Sequence, residues 1–364
     1  MLVVDGTKKI QIVMVGPARE VHGGISEVVN TYFRAGLGEQ VDITYIESMK
    51  EGSKIKKLFV AMLAFLRFFF CVNKADIVHI HAASDSSFVR KSFFVKLAHK
   101  RGKKIILHQH GGDFVNWYNS KDEKGQKKVR DILDMADIML VLAPVWVDYF
   151  GTLTDKDKIS AFHNSIFIPR YDEAEEGEIP IAKEPHSILF LGRLCETKGI
   201  RELAACLPDI IEAFPDVRLY LAGIWEDEEL KELFVPYQSN VKEMGWVSGD
   251  GKSALLDVCE VFVLPTHFEG QSVSIVEAMA SYCAVVASNI GGVPMMITDD
   301  YNGLLVPVKN SEVLGKTLIR MLGDSELRYR LTANARKLAQ EEYDINQTVS
   351  KLLTIYSTLA GADR

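Results

Sequence analysis

Residues 261–280 constrain the fold most, because a short apolar run changes there into an apolar pattern of helical period. Residues 261–264 read Val-Phe-Val-Leu and are closed by a proline, which is typical of a buried parallel strand. From Ile275 onward the apolar residues recur at helical spacing, with good helix formers between them. The intervening residues therefore form a strand-to-helix loop, and Ser272 or Ser274 is expected to cap the helix.

Two carboxylates stand eight residues apart in this segment, Glu269 in the loop and Glu277 inside the helix. A carboxylate on an otherwise apolar helix is costly to bury unless a partner accepts its charge or its hydrogen bonds. Sugar and ribose hydroxyls are donors that two such groups could hold, and a helix N-terminus suits a phosphate. The alternative is a surface Glu in a loop and a helical Glu that points outward. The two residues alone do not decide between these interpretations.

The same alternation of short apolar runs and helical patterns continues through the chain. It is interrupted by residues 170–186, an acidic segment that contains proline and is interpreted as an interdomain linker. A length of 364 residues suits two domains better than one. The fold class that we expect is therefore α/β, with two Rossmann-like, doubly wound domains whose strand ends and helix N-termini face each other across a cleft.

Charge is divided unevenly along the chain. Residues 1–170 hold 25 Lys and Arg against 18 Asp and Glu, whereas the remaining residues hold 17 against 31. No nucleic-acid-binding motif accompanies the basic half, so we expect no nucleic acid as a partner; an anionic membrane surface explains the basic half better. The N-terminus lacks a signal-peptide pattern and the five Cys are scattered. We therefore expect a cytoplasmic protein that can attach peripherally to the inner face of the membrane.

Residues 54–72 are basic at their start and then almost continuously apolar, with Arg67 as the interruption. The apolar core is shorter than the roughly 20 residues that a membrane-spanning helix requires. A buried crossover helix is the favoured interpretation. The alternative is a basic, aromatic-rich helix that lies in a membrane interface.

Glycines and cations follow two of the predicted strands. Gly23 and Gly24 stand between a strand and a helix, where adjacent glycines let backbone N–H groups approach a phosphate. The pattern is not the dinucleotide-binding fingerprint, which disfavours a nicotinamide enzyme. Arg193 and Lys198 stand five residues apart after a strand of the second half. Together they could clamp a diphosphate, since Arg supplies a planar fork and Lys a point charge.

Four histidines end two consecutive strands. His79 and His81 point the same way on their strand, but a metal site needs a further ligand and the sequence nearby supplies none. We expect one of the two to be packed and the other to touch the cleft. His108 and His110 end the next strand, just before a glycine pair, where open α/β sheets place their sites. No metal site is therefore expected.

Taken together, these motifs resemble those of the retaining, nucleotide-sugar-dependent glycosyltransferases of family 4, which have the GT-B fold. The E-x7-E spacing of Glu269 and Glu277 carries the resemblance, and it continues through residues 287–294 and 302–307. It covers essentially the whole chain.

The resemblance implies a domain organisation. Residues 1–166 are then an N-terminal acceptor-binding domain, and residues 167–344 are a C-terminal nucleotide-sugar-binding domain. A last helix, at about residues 345–364, is expected to return to the first domain.

The resemblance also implies roles for single residues. In the family, a glycine pair at the position of Gly23 and Gly24 faces the donor diphosphate. The Arg and Lys of the G-R-x4-K-G pattern, here Arg193 and Lys198, bind the donor phosphates. A His that precedes two glycines contacts the donor sugar. On this basis His110 is preferred to His108. The catalytic residues that we predict are His110, Glu269, Arg193 and Lys198. The donor-binding residues that we predict are Gly23, Gly24, Gly192, Trp246, Val247, Gly270, Gln271, Ser272, Val273 and Glu277.

The reaction implied is the transfer of a hexosyl unit from a nucleoside-diphosphate sugar to an acceptor hydroxyl, with retention at the anomeric carbon. The departing phosphate is thought to take the acceptor proton, so the resemblance implies no metal and no cofactor. We expect a lipid-linked or glycan acceptor and a role in cell-surface or exopolysaccharide assembly. A UDP-linked donor is favoured, although Gln271-Ser272-Val273 replaces the family's frequent Gly-Phe-Gly and leaves the sugar open. The alternatives are a GT-B-type epimerase and a non-catalytic nucleotide-sugar-binding subunit of a glycan-assembly complex.

Overall fold

The computed structural model describes residues 3–4, 8–21, 23–111, 113–171 and 179–361, and the side chains of Val3, Val4, Lys8 and Lys54 lie outside this description. Internal contacts divide the chain into two units. Unit 1 comprises Met1–Phe167 and Asp344–Arg364, and unit 2 comprises Ile168–Tyr343. Each unit contains its own six-stranded sheet.

The sheet of unit 1 is built from the apolar runs of the first half. Its strands are β1 Gln11–Gly16, β2 Asp42–Glu47, β3 Ile77–Ala82, β4 Lys104–Gln109, β5 Ile138–Val141 and β6 Ile159–Ala161. They lie in the order β2-β1-β3-β4-β5-β6, and all neighbours pair in parallel. A separate antiparallel ribbon pairs Val3–Val4 with Lys8–Lys9.

Helices connect these strands, as parallel pairing requires. They are α1 Gly24–Arg34, α2 Leu37–Gln40, α3 Lys54–Cys71, α4 Asp85–Lys100, α5 Phe114–Asn119, α6 Glu123–Asp134 and α7 Pro144–Gly151. Single 3-10 turns follow α3 at Val72–Lys74 and precede β6 at Lys156–Lys158. The core of the unit packs between the sheet and α3, α4, α6 and α7, and Phe68, Phe94 and Phe150 are among its buried side chains.

The sheet of unit 2 repeats this construction. Its strands are β7 Glu184–Leu191, β8 Arg218–Ala222, β9 Val241–Gly245, β10 Cys259–Leu264, β11 Ala284–Ser288 and β12 Leu304–Val306. The order is β9-β8-β7-β10-β11-β12, again with parallel neighbours. This is the strand order of a dinucleotide-binding Rossmann sheet.

The helices of unit 2 alternate with its strands. They are α8 Ile200–Ala213, α9 Glu228–Lys231, α10 Gly249–Val258, α11 Val273–Ala280, α12 Ser311–Gly323 and α13 Ser325–Glu342. Short 3-10 segments lie at Glu196–Lys198, Glu232–Tyr237 and Val293–Met295. The α/β class with two Rossmann-like, doubly wound domains is thus confirmed.

The last helix, α14 Ile345–Ala360, belongs to unit 1. The hydroxyl of Tyr356 lies 2.7 Å from Nδ1 of the buried His79, and Thr348 bonds Ser165 at 2.7 Å. Because these polar contacts are buried, they fix the position of α14 against β3 and against the segment around Ser165, near the end of the first part of unit 1.

Strand order reverses once in each sheet, between β1 and β3 in unit 1 and between β7 and β10 in unit 2. In open α/β sheets, ligands bind outside the carboxyl ends of the strands at such a switch point. These two points therefore locate the candidate sites within each unit.

The favoured prediction for residues 54–72, a buried crossover helix, is confirmed only in part, because α3 connects β2 to β3 but is buried on one side alone. Helix α3 buries Ala64 and Phe68, but its other apolar face is exposed, with Leu58 at 73% and Phe70 at 75% of full accessibility. An 18-residue helix that is apolar all round presents only one face to the sheet. Among the described residues, no helix combines the length and the hydropathy needed to cross a bilayer.

Several element bounds also differ from the sequence prediction. Strand β9 ends at Gly245, so Trp246 and Val247 lie in the loop after it. Strand β7 begins at Glu184, inside the expected linker. The middle of that linker, residues 172–178, lies outside the described residues.

Candidate functional site

The most direct contact at the unit 2 switch point joins Lys198 to Glu269. Lys198 ends the 3-10 turn after β7, and Glu269 stands in the loop after β10. The ammonium Nζ lies 2.7 Å from Oε2 of the carboxylate, and both side chains are largely buried. Two groups that are 71 residues apart in sequence are therefore brought together where an α/β sheet places its ligand.

Backbone contacts fix the two loops that carry this pair. The N–H of His267 donates to the carbonyl of Thr197 at 2.9 Å, and the Thr266 hydroxyl donates to the same carbonyl at 3.3 Å. Gly199, which caps α8, has a φ of +75° and packs directly against the Pro265 carbonyl. Because a Cβ at this position would overlap that carbonyl, only glycine fits.

Gly291 and Gly292 pack against the backbone of the Glu269 loop. The N–H of Gly292 donates to the Glu269 carbonyl at 3.0 Å, and a Cβ on Gly292 would collide with the Gly270 carbonyl. Close backbone contacts from Gly291 and Gly292 thus hold Glu269 and Gly270, and Gly199 packs against Pro265 at the start of the same loop.

Helix α11 begins directly after this loop. The Ser272 hydroxyl accepts from the N–H of Ile275 at 3.3 Å, which confirms the predicted cap. Gln271 and Ser272 are buried, and Val273 is the first helical residue. The predicted donor-binding residues from Gly270 to Val273 therefore form one continuous backbone segment at a helix N-terminus, where N–H groups are available to an anion.

Glu277 lies inside α11 with its charge compensated. Nζ of Lys252, on α10, is 2.5 Å from Oε1 of Glu277, and the two side chains are 21% and 15% exposed. The sequence argument required a partner for this carboxylate but did not identify Lys252.

The other predicted cation, Arg193, follows Gly192 after β7. Its Nη1 donates to both carboxylate oxygens of Glu226, at 3.0 and 3.1 Å, and the pair is well exposed. Trp246 is 46% exposed and therefore is not a core residue. Val247 stands beside it, half-buried.

Gly23 and Gly24 stand at the other switch point, in unit 1. Gly23 precedes α1 in an extended conformation, and Gly24 is the first residue of that helix. Among the described residues, no heavy atom lies within 4 Å of the place where a Cβ would stand on either glycine. The backbone is therefore open to a ligand at this end of β1. His22 and Gly112, which belong to the same predicted loops, lie outside the described residues.

His110 belongs to a cluster of four histidines in unit 1. Its Nε2 lies 2.9 Å from Nδ1 of His81, and the rings of His108 and His110 are 4.1 Å apart. Burial lowers the pKa of His79 and of His110 to about 3, and it lowers the pKa of His81 and His108 well below 6.5. All four imidazoles are therefore neutral at pH 7, and His110 can donate or accept a hydrogen bond but carries no charge.

Two expectations about these histidines are wrong. His79 and His81 are both fully buried, so neither touches solvent in unit 1. A third imidazole does accompany them, because His108 brings a ring nitrogen within 4.8 Å of theirs. The His79 ring, however, is stacked on those of His81 and His108, at interplanar angles of 22° and 15°. Nδ1 of His79 contacts the Tyr356 hydroxyl, and Nδ1 of His81 contacts Nε2 of His110. The expectation that no metal binds at this cluster stays a prediction.

Comparison with known proteins gives a family model that matches within unit 2 and several similar sequences. Residues 172–338 match the family model described as glycosyl transferases group 1. Over 183 residues the chain is 33% identical to a phosphatidyl-myo-inositol mannosyltransferase of Mycolicibacterium smegmatis. The aligned residues are 50% of this chain and 47% of that protein. The chain thus spans about half the length of this curated relative. It is also 24% identical over 323 residues to an uncharacterized 41.2 kDa protein in the cps region of Klebsiella pneumoniae, covering 84% of each.

Solved structures share the fold over nearly the whole chain. Sucrose-phosphate synthase from Thermosynechococcus elongatus has a TM-score of 0.79 at 18% identity, covering 97% of this chain and 100% of that one. Anabaena HepE in complex with UDP has a TM-score of 0.74 at 15% identity, covering 95% and 100%. At these identities the likeness shows the fold, and it confirms the predicted GT-B class.

Proposed function

We propose that this chain, whose residues 172–338 match the family model of the group 1 glycosyltransferases, transfers a hexosyl unit from a nucleoside-diphosphate sugar to an acceptor hydroxyl, with retention at the anomeric carbon. The observation that carries the proposal is the Lys198–Glu269 pair, held at 2.7 Å at the unit 2 switch point. It places a cation and a carboxylate beside a capped helix N-terminus, which suits a diphosphate joined to a polyol.

The proposed mechanism relies on positioning and charge. Lys198 and Arg193 hold the diphosphate, and the N–H groups at the start of α11 supply further donors to it. The bond between the anomeric carbon and the phosphate oxygen breaks as the acceptor oxygen bonds to that carbon on the same face. The departing phosphate takes the proton of the acceptor hydroxyl. Glu269 and His110 orient the sugar through hydrogen bonds, for which the neutral imidazole of His110 is suited.

A UDP-linked sugar is the donor that we favour. HepE, which shares the fold, has been solved in complex with UDP, with UDP and glucose, and with UDP-glucose. Exposed Trp246 follows β9 and offers an aromatic face of the kind on which a nucleobase stacks. Glu277 remains our candidate for the ribose hydroxyls, with Lys252 balancing its charge in the absence of ligand.

The acceptor that we propose is lipid-linked and belongs to a cell-surface glycan or exopolysaccharide. The name of the mycobacterial relative specifies a lipid, phosphatidyl-myo-inositol. The exposed face of α3 supports the same conclusion. Eight large apolar side chains recur on it at helical spacing, namely Ile55, Leu58, Phe59, Met62, Leu63, Leu66, Phe69 and Phe70.

This α3 face has the composition of a helix that lies in a membrane interface. Lys56, Lys57 and Arg67 are exposed, and α3 contains no acidic residue. Each cation near an anionic leaflet contributes about 1 kcal/mol, and the apolar stripe adds the burial of its side chains in the acyl region. Unit 1 would then attach peripherally, at the surface from which a lipid-linked acceptor is presented.

Turnover with a panel of donors tests the proposed function. Purified chain is incubated with UDP-glucose, UDP-N-acetylglucosamine, UDP-galactose or GDP-mannose and with membrane lipid extract, and release of the nucleoside diphosphate is measured. One donor is expected to be consumed, with an α-linked product by NMR from an α-linked donor. Lys198→Met should abolish release. Donor binding without any release would instead favour a non-catalytic binding subunit.

A further inference from the structure

A second, more deeply buried pair accompanies the Lys198–Glu269 contact in unit 2. Nε2 of His267 lies 3.2 Å from Oε1 of Glu202, and the two side chains are 5% and 12% exposed. Glu202 stands in the first turn of α8, shortly after Lys198, and His267 stands just before Glu269. The same two chain segments therefore meet twice, once at the proposed donor site and once in the interior of the unit.

The contact between His267 and Glu202 does not serve stability well. Among the residues that the structure describes, Oε2 of Glu202 is a buried oxygen without a hydrogen-bond partner. Burial of a carboxylate with half of its acceptors unused is costly, and it offsets what the contact contributes. The contact does select one relative position of the two segments, because a hydrogen bond is directional.

His267 is bound to the Lys198 segment through its main chain as well. Its N–H donates to the carbonyl of Thr197, the residue before Lys198, at 2.9 Å. The imidazole and the N–H of one residue therefore both contact the segment that carries the cation. Two contacts from one residue fix its orientation as well as its distance from that segment.

The direct contact between Lys198 and Glu269 cannot set their separation while a donor is bound. In the proposed mechanism the ammonium of Lys198 binds the diphosphate, and the carboxylate of Glu269 binds the sugar. Each group then gives up part of its 2.7 Å contact with the other. The relative position of the two segments must at that moment be held by side chains that do not touch the ligand.

We propose that Glu202 and His267 are positioning residues of the donor site. Their contact holds the Lys198 segment against the Glu269 loop and the start of α11, so that the cation and the helix N–H groups face one diphosphate. This inference rests on the proposed function, because the task arises only when a nucleoside-diphosphate sugar binds. The competing explanation is that Glu202 only stabilises the N-terminus of α8, where an acidic side chain is favourable, and that His267 only fills the interior.

Titration with UDP and with uridine distinguishes these explanations without turnover. His267→Leu should weaken UDP binding several-fold and uridine binding hardly at all, because only the diphosphate bridges the two segments. His267→Gln keeps an N–H donor near the position of Nε2 and should restore most of the UDP affinity. In a Lys198→Met background, His267→Leu should not weaken UDP binding further, since the contact that it positions is already absent.

Asn240→Leu is the matched control. Nδ2 of Asn240 donates to the carbonyls of Pro215 and Val217, at 3.0 Å each, and the residue precedes β9 at the amino-terminal edge of the sheet. This change should lower the free energy of unfolding and leave UDP affinity and transfer rate at their wild-type values. With the donor that the panel identifies, His267→Leu should lower kcat about tenfold or more, because the reacting groups are misplaced, and His267→Gln much less.

The proposal is overturned if His267→Leu loses stability as Asn240→Leu does but keeps the UDP affinity and kcat of the wild type. Additive losses of UDP affinity in the Lys198→Met background would also overturn it. Should His267→Leu not fold, Glu202→Leu removes the same contact from α8 and is judged by the same criteria, with Glu202→Gln as the conservative variant.

The same titrations separate this proposal from the proposed function. If UDP binds, the losses are non-additive and no donor of the panel is consumed, the proposed transfer fails and the positioning of the diphosphate stands. A wild-type chain that binds no UDP is titrated with GDP and guanosine instead. A chain that binds neither nucleotide would overturn both proposals.

Discussion

Lys252 and Glu277 form an ion pair at 2.5 Å between two helices of unit 2, α10 and α11. Glu277 is the second carboxylate of the E-x7-E spacing. The residues next to it on α11 are apolar. Because both side chains are largely buried, the pair compensates the cost of placing either charge there. The carboxylate therefore has a structural partner as well as a proposed ligand, and the two roles need separate measurements.

Substitutions of Glu277 and of Lys252 separate the structural role of the ion pair from the proposed binding of ribose. Glu277→Gln should weaken binding of the preferred nucleotide several-fold, since the amide is a poorer acceptor for the ribose hydroxyls. Lys252→Met should leave that affinity nearly unchanged. Each change should cost about 1–3 kcal/mol in the free energy of unfolding, because a charged hydrogen bond is lost. Equal nucleotide affinity in wild type and Glu277→Gln would remove Glu277 from the ribose role.

Arg193→Ala should reduce turnover several-fold or more. Its guanidinium is expected to leave Glu226 for the donor diphosphate, so the loss of affinity should be larger for the nucleoside diphosphate than for the bare nucleoside. Arg201→Ala is a matched control, because Arg201 makes a comparable exposed pair with Glu196 at 2.9 Å. Competition binding with both ligands checks this, and identical losses for both would contradict the clamp.

His110→Ala should reduce sugar transfer far more than it reduces binding of the free nucleoside diphosphate. The reason is that the neutral imidazole is proposed to contact the sugar and not the phosphates. Steady-state transfer rates and nucleotide titration on the same preparation measure the two effects. His99→Ala, which changes an exposed histidine of α4, should behave as wild type. Full transfer by His110→Ala would exclude this histidine from the site.

Stability should fall as the pH is lowered through the histidine range. The pKa values of His79 and His110 are about 3 in the folded chain, against about 6.5 for an unfolded histidine. Below pH 6.5 the unfolded state therefore binds more protons, so the stabilisation present at neutral pH is lost toward acid. Each buried histidine contributes a slope of up to about 1.4 kcal/mol per pH unit.

Denaturant unfolding between pH 7.5 and 4.5 measures this slope. His79→Asn removes one of the buried imidazoles and should make the dependence on pH shallower than in wild type. His99→Gln should leave it as it is. If all three chains showed the same slope, the buried histidines would not be the source of the acid sensitivity.

Vesicle sedimentation tests attachment through α3. The wild-type chain should bind anionic vesicles, and high salt should weaken but not abolish binding, because the apolar face contributes beyond charge. The double substitution Lys56→Glu and Lys57→Glu should weaken the part of vesicle binding that is sensitive to salt. The double substitution Leu58→Gln and Phe70→Gln should weaken the part that persists at high salt. Val235→Gln changes a comparably exposed apolar residue of unit 2 and is the control. Wild-type chain that stays in the supernatant at low salt would refute the membrane contact.

Local patterns were enough to predict the segment around Glu269. The apolar run, the loop and the capped helix follow one another within 22 residues, so periodicity and the capping preference of Ser272 identify them without tertiary information. The same reasoning gave the α/β class and the glycines and cations at the strand ends, because these motifs are defined by their position next to a strand.

Contacts between segments that are distant in sequence could not be predicted from local patterns. Glu226 lies 33 residues from Arg193, and Lys252 lies 25 residues from Glu277. Nothing in their own neighbourhoods distinguishes them from surface residues. His108 joined His79 and His81 only because β4 pairs with β3 in a register that sets His81 opposite His108.

By itself, then, the sequence determined which segments form strands and helices and which polar groups stand at their ends, since those properties depend on neighbours along the chain. The tertiary structure decided which charges meet, as in Lys198 with Glu269 and Lys252 with Glu277. It also decided that one apolar face of α3 stays exposed. Periodicity shows that a helix is apolar all round, but only the packing of the sheet and α4 against it determines which side is covered.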